Sequence, residues 1–214
     1  MMKRNKLSKF IIYTTKIGNY LPFLLLNRTK IIYLDKRSKY IIKKLGCIII
    51  SNHTNLFDFP LFLMMFFRPI VRCLTAEVMS RTNKCLTWFL YKLGAIFVNR
   101  FNHDLSFTSQ IEEALKEKHK ILIFPEGRLP KDGEKELLPF NPFYIHLAKE
   151  NNVPIILCAT NGQYIKKKKN KLIIGESIDV NTYWNDENSP IDNLKNINKI
   201  IEVKIKKLYE ESKK

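Results

Sequence analysis

The sequence predicts an α/β fold, a single domain in which a mostly parallel central sheet is flanked by helices. From Cys47 onward, short runs of β-branched residues alternate with helix-period patterns, as βαβ units require. In addition, 214 residues, 45% of them hydrophobic, can bury a full core without disulfide or metal staples. No linker or internal repeat divides the chain, so the domain is placed at 29–214, preceded by an amphipathic segment at 1–28.

In that first segment, five basic residues precede or punctuate Phe10, Ile11, Ile12, Tyr13, Ile17 and the stretch Tyr20 to Leu26. Such a helix either covers the sheet or docks on a membrane surface. Strands are expected at Cys47–Ser51, Val71–Thr75, Ala95–Val98, Ile121–Phe124, Val153–Cys158 and Lys171–Gly175. Phe107, Ile111 and Leu115 recur every four residues after Asp104, a capping residue for a helix running to about Lys118. Asn141 before Pro142 marks another helix start. Near the C terminus, Leu194, Ile197, Ile201, Ile205 and Leu208 form one apolar stripe on a lysine-rich helix. Packing on the sheet is its first use, lying on a membrane its second. The tract Lys166–Lys169 reads as a solvated loop before the last strand.

A formal charge of +17 predicts attraction to anionic surfaces, lipid or nucleic acid, and says nothing of the fold. The basic start is not followed by an unbroken apolar run, because Lys9 and Lys16 interrupt it, so no secretory signal is expected and the chain should stay in the cytosol. The longest apolar run, Phe59 to Phe67, contains Pro60 and is less than half of the ~20 residues a transmembrane helix needs. Cys47, Cys73, Cys85 and Cys158 lie far apart with no zinc spacing, and are read as reduced, mostly buried thiols; no metal is expected.

Three segments carry chemistry. NHTNLFD, Asn52 to Asp58, sits where a strand ends and a helix begins, the usual place for ligands in open α/β folds. There Asp58 can accept the proton of one ring nitrogen of His53, leaving the other as a free base. GAIFVNR ends a strand in Arg100, whose guanidinium suits bidentate phosphate binding. FPEGR runs from a strand into a turn whose Gly127 permits close backbone approach. His103, His119 and His146 lie in no motif and receive no role.

These three blocks, in this order and spacing, resemble the glycerolipid acyltransferase family that includes lysophosphatidic acid acyltransferases, over residues 45–160. The resemblance implies that His53 and Asp58 are the catalytic pair, and that Arg100, Glu126, Gly127 and Arg128 bind the acceptor's phosphate. Val153, Pro154 and Ile155 match a fourth, hydrophobic block. The family usually reads FPEGTR where Arg128 here follows Gly127 directly, and Asn141-Pro142 stands where a Lys-Gly pair is common. Glu126 is expected to orient Arg100, Arg128 or a backbone turn. Trp88, Phe89 and Tyr91 are expected in the core or along an acyl-chain channel.

The implied reaction moves a fatty acyl group from acyl-CoA or acyl-carrier protein, as co-substrate with no bound cofactor, to a lysophospholipid hydroxyl, first of all 1-acyl-sn-glycerol 3-phosphate. Glycerol 3-phosphate or another lysolipid are the alternatives within the family. The implied partner is an anionic membrane, with the protein peripheral on its cytoplasmic face. A nucleic-acid-binding module would need a basic or aromatic-lined motif that the chain lacks, and a metal hydrolase would need a further ligand beside His53 and Asp58.

Overall fold

The computed structural model describes residues 7–77, 83–98, 106–134, 137–165 and 169–214. Arg100, His103, the expected cap Asp104 and most of the Lys166–Lys169 tract lie outside the described residues.

The described elements run α1 (Lys9–Asn27), β1 (Lys30–Tyr33), α2 (Lys36–Lys44), β2 (Cys47–Ser51), α3 (Asp58–Met65), β3 (Val71–Ala76), α4 (Lys84–Lys92) and β4 (Ile96–Val98). They continue with α5 (Ser106–Lys116), β5 (Lys120–Ile123), α6 (Phe143–Glu150), β6 (Ile155–Thr160), β7 (Lys171–Ile178), α7 (Val180–Tyr183) and α8 (Pro190–Lys213). Seven strands form one sheet in the order β1-β7-β6-β2-β5-β3-β4. From β6 to β4 every pairing is parallel; β7 runs antiparallel to β6, and β1 pairs parallel with β7. The expected α/β architecture, one mostly parallel sheet flanked by helices, is thus the one observed.

Strand periodicity sorts the core into two faces. Ile48 and Ile50 of β2, Ile121 and Ile123 of β5, and Ile155, Leu157 and Ala159 of β6 join the cluster under α5, α6 and α8. Cys47, Ile49, Leu122, Ile156 and Cys158 alternate to the opposite face, against Ile41, Ile42, Leu61 and Phe62 of α2 and α3. β2 is buried at all five positions, as a central parallel strand should be.

β6 begins after Pro154, which has no N–H for the ladder but whose carbonyl accepts from Ile48 N at 3.1 Å. The C-terminal stripe packs on the sheet as expected: Ile197, Ile201, Ile205 and Leu208 are buried. At Gly175 of β7, an added Cβ would come within 2.7 Å of Leu208, so the glycine sets how closely α8 approaches. The helix expected at Asn141-Pro142 starts one residue later: Pro142 is the N-cap of α6, and Asn141 Oδ1 just before it accepts from Phe143 N at 3.0 Å.

Two elements were not foreseen, and of the two places expected for Trp88 the core is not the one it takes. β1 and α2 were unforeseen; β1 is a four-residue edge strand, too short for a pattern to show. Trp88 is not in the core: α4 lies at the surface with no buried residue, and Trp88 is 48% exposed. Of its neighbours, Phe89 packs beside Ile12 and Leu63, and Tyr91 tilts against Phe97.

α1 has two dissimilar sides. Ile12 is buried with Leu63 and Met64, and Lys16 is buried with its ammonium donating to the carbonyls of Phe66, Phe67 and Pro69 at 2.8–3.0 Å. These carbonyls belong to the C-cap residue of α3 and the turn that follows it, so the ammonium holds the chain where it leaves the helix. Burial lowers the Lys16 pKa to about 8. Phe10, Ile17, Leu21 and Leu25 lie exposed on the other side. No helix among the described residues is long and apolar enough to cross a membrane.

Candidate active site

β2 ends in the middle of the sheet, and the segment after it is pinned from three sides. Asn52, buried, extends the β2–β6 ladder with its side chain: Nδ2 donates to Thr160 O and Oδ1 accepts from Thr160 N, both at 2.9 Å. His53 N donates to Glu126 Oε1 at 2.8 Å. Asn55 Oδ1 accepts from Phe57 N, and Asn55 O accepts from Asp58 N, which turns the chain into α3. Asp58 enters the first turn of that helix, where a negative charge is favoured by the helix dipole.

Asp58 is fully buried, and five donors converge on its carboxylate. Oδ2 accepts from His53 Nδ1 at 2.8 Å, Thr54 N at 2.6 Å and Asn55 N at 2.9 Å. Oδ1 accepts from Thr54 Oγ1 at 3.0 Å and Tyr164 Oη at 2.5 Å. A carboxylate ringed by donors offers only lone pairs, so Nδ1 of His53 carries the hydrogen and Nε2 holds the free lone pair. Phe124 stacks on the imidazole, centroids 4.2 Å apart and planes 12° from parallel, fixing the ring's tilt. The His53 side chain keeps 18% exposure against none for Asp58, so the base is reachable from outside while its partner is sealed. This arrangement can accept a proton from an incoming hydroxyl and shield the resulting imidazolium charge.

Gly127 adopts φ +73° and donates its N–H to Phe124 O at 3.0 Å, closing the turn that carries Glu126. The two oxygens of Glu126 accept from His53 N and from Leu138 N at 3.0 Å. Among the described residues Glu126 takes the backbone role expected of it, and Arg100, the other expected partner, lies outside them. Burial raises its pKa above the usual carboxylate value, while those two N–H groups and His53 pull the other way. Arg128 is at the surface, its guanidinium forked onto Glu134 at 2.6 and 2.9 Å, so it is not oriented by Glu126. The structure therefore brings His53, Asp58 and Glu126 together, with Gly127 in the adjoining turn and Arg128 directed away. Among the described residues no group of three His, Cys, Asp or Glu side chains could hold a metal ion.

Sequence reasoning missed Tyr164 altogether, and it gave Asn52 and Thr54 of NHTNLFD and Phe124 of FPEGR no individual role in holding His53 and Asp58. Gly162 had no signal either, yet it stands at φ +65° where a Cβ would lie 2.6 Å from Thr54 Oγ1.

The fold is an α/β domain with a His–Asp pair at the end of its central strand, and the chain belongs to the acyltransferase family, whose pattern, described as Acyltransferase, matches residues 33–161. It is similar to the 1-acyl-sn-glycerol-3-phosphate acyltransferase of Cocos nucifera, 30% identical over 134 residues, which are 58% of this chain and 40% of that one. The Saccharomyces cerevisiae enzyme of the same name is 28% identical over 112 residues, 51% of this chain and 36% of that one. The chain thus spans less than half the length of these curated relatives. The crystal structure of the 1-acyl-sn-glycerophosphate acyltransferase PlsC from Thermotoga maritima shares the fold, with a TM-score of 0.65 and 22% identity over 94% of this chain and 78% of that one.

Proposed function

We propose that this protein transfers a fatty acyl group from an acyl thioester to the free hydroxyl of a lysophospholipid, with 1-acyl-sn-glycerol 3-phosphate as acceptor and phosphatidic acid as product. The observation that carries the reading is the His53–Asp58 pair, joined at 2.8 Å at the end of the central strand with Nε2 left as the base. The names of the curated relatives support the choice of acceptor.

The thioester is already activated, so the reaction needs no resident cofactor and no covalent acyl-enzyme. Nε2 of His53 takes the hydroxyl proton as the oxygen attacks the thioester carbonyl. The tetrahedral intermediate collapses by breaking the C–S bond, and the thiolate leaves with the proton from the imidazolium. General base catalysis of this kind contributes about 10²–10⁴-fold. Asp58 stabilises the imidazolium, and Phe124 and Glu126 hold the ring and its backbone in place. Phosphate binding is assigned to Arg100 and to Arg128 released from Glu134, in keeping with the family resemblance.

The acceptor is held in a lipid surface, and the protein works as a peripheral protein on the cytoplasmic face of an anionic membrane. Its charge of +17 and the exposed apolar side of α1 support this. The exposed Leu56 and Phe57, a few residues after His53, add apolar surface beside the base.

The test is a transfer assay with labelled acyl-CoA and acyl-carrier protein against lysophosphatidic acid, glycerol 3-phosphate and a lysolipid without a phosphomonoester. The expected product is phosphatidic acid, with Arg100→Ala raising KM for phosphomonoester acceptors alone. Transfer to none of these acceptors from either donor would refute the proposal.

A further inference from the structure

Tyr164 lies beyond residues 33–161, which carry the family match, and in no motif, yet its hydroxyl reaches the carboxylate at the centre of the site. Its side chain is buried, 5% exposed, and Oη donates to Asp58 Oδ1 at 2.5 Å. The two carboxylate oxygens thus divide their donors: Oδ2 faces His53 and two main-chain N–H groups, while Oδ1 faces two hydroxyls, those of Thr54 and Tyr164.

The loop that delivers Tyr164 is tightly held. Tyr164 N donates to Gly162 O at 3.0 Å, Gly162 N donates to Thr160 Oγ1 at 3.3 Å, and Ile165 N donates to Asn27 Oδ1 at the end of α1. Ile165 sits at φ +52°, a region that β-branched residues avoid and that persists only where the surroundings impose it. Backbone strain beside a short hydrogen bond to a buried carboxylate points to a position under functional demand.

We infer that Tyr164 is a positioning residue for acyl transfer, holding the Asp58 carboxylate in one orientation and drawing charge away from the oxygen that faces His53. This rests on the reading of His53 as the general base. A carboxylate without that phenol concentrates charge on Oδ2, stabilises the imidazolium more strongly and leaves less free base at a given pH. It is also freer to rotate away from Nδ1. Burial and the Asp58 charge push the Tyr164 hydroxyl far above its usual range, so it stays a donor across the working pH range. Among the described residues, the other titratable groups facing the pair are Glu126, from the turn after β5, and Cys73 of β3, whose thiol burial pushes up to about 12. Both are common to wild type and the Tyr164 variants, so a difference between these reports Tyr164 alone.

The experiment measures kcat, the KM of donor and acceptor, the melting temperature and the pH profile of kcat/KM for wild type, Tyr164→Phe and enzyme carrying 3-fluorotyrosine at position 164. His53→Ala is assayed alongside. A carboxylate no longer held in one orientation positions the imidazole less well, which should lower kcat of Tyr164→Phe about tenfold with both KM values nearly unchanged, while the charge left on Oδ2 moves the acid limb to higher pH. The fluorinated phenol, a stronger donor of the same shape, should move the limb to lower pH, and it decides the question if Tyr164→Phe does not fold. An acid limb that stays in place for the folded variants, or a loss confined to KM and melting temperature, overturns the inference. Activity retained by His53→Ala would instead overturn the general-base reading itself.

Discussion

Replacing Asp58 by Asn separates the carboxylate's charge from its shape. On the Oδ2 side, the main-chain N–H groups of Thr54 and Asn55, at 2.6 and 2.9 Å, have fixed directions. The amide oxygen must take that side, where it still accepts from His53 Nδ1 and keeps the tautomer. The amide nitrogen then meets Thr54 Oγ1 and Tyr164 Oη, hydroxyls that can rotate to accept. What is lost is the charge assistance to the imidazolium, a hydrogen bond to a charged group worth about 1.5–3 kcal/mol. At about 1.4 kcal/mol per decade, kcat should fall roughly 10- to 200-fold. That is far below the ~10⁴-fold cost of trapping the wrong tautomer in a serine-protease triad. Thiol release from acyl-CoA with lysophosphatidic acid in anionic vesicles gives kcat, and a circular-dichroism melt checks the fold. An unchanged rate would refute the charge role of Asp58, and a loss near 10⁴-fold with the fold intact would refute the preserved tautomer.

Glu126→Gln leaves one of two main-chain donors, His53 N or Leu138 N, facing an amide NH2, at a cost of about 1–3 kcal/mol. Its melting temperature should fall by several degrees and kcat with it; an unchanged melt would count against the clasp. Lys16 protonates near 8 in the fold and near 10.5 when unfolded, so between these values the unfolded chain binds more protons and stability rises with pH. Relative to Lys16→Met, wild type should gain about 2–3 kcal/mol across that window in denaturant titrations, and a constant difference would contradict the burial account. The double change Leu21→Asp with Leu25→Asp places charge on the exposed side of α1, where the two leucines are 62% and 69% exposed. Sedimentation with anionic vesicles should weaken at least about tenfold, and undiminished binding would move the membrane contact elsewhere.

Local patterns made the sheet legible and left the site half visible. The isoleucine runs of β2 and β6 announce buried parallel strands, and the four-residue spacing of Phe107, Ile111 and Leu115 announces α5, because each pattern lies within a few residues. His53 and Asp58 were found because a single turn brings them together. Tyr164 reaches Asp58 from 106 residues away, and Asn52 pairs with Thr160 across 108, contacts that exist only once the strands are side by side. Glu126 had a motif but no visible partner, since its partners are main-chain N–H groups that every residue but proline carries. Trp88 shows the opposite limit: an aromatic residue on a helix looks like core until the outward face is known.

The central claim is that His53 is the base for acyl transfer, and it is tested most directly by comparing wild type with His53→Ala under single turnover, using labelled acyl thioester and lysophosphatidic acid in anionic vesicles. Label should pass into phosphatidic acid with wild type and stay on the thioester with a folded His53→Ala. Transfer of label at a comparable rate by both proteins would contradict it.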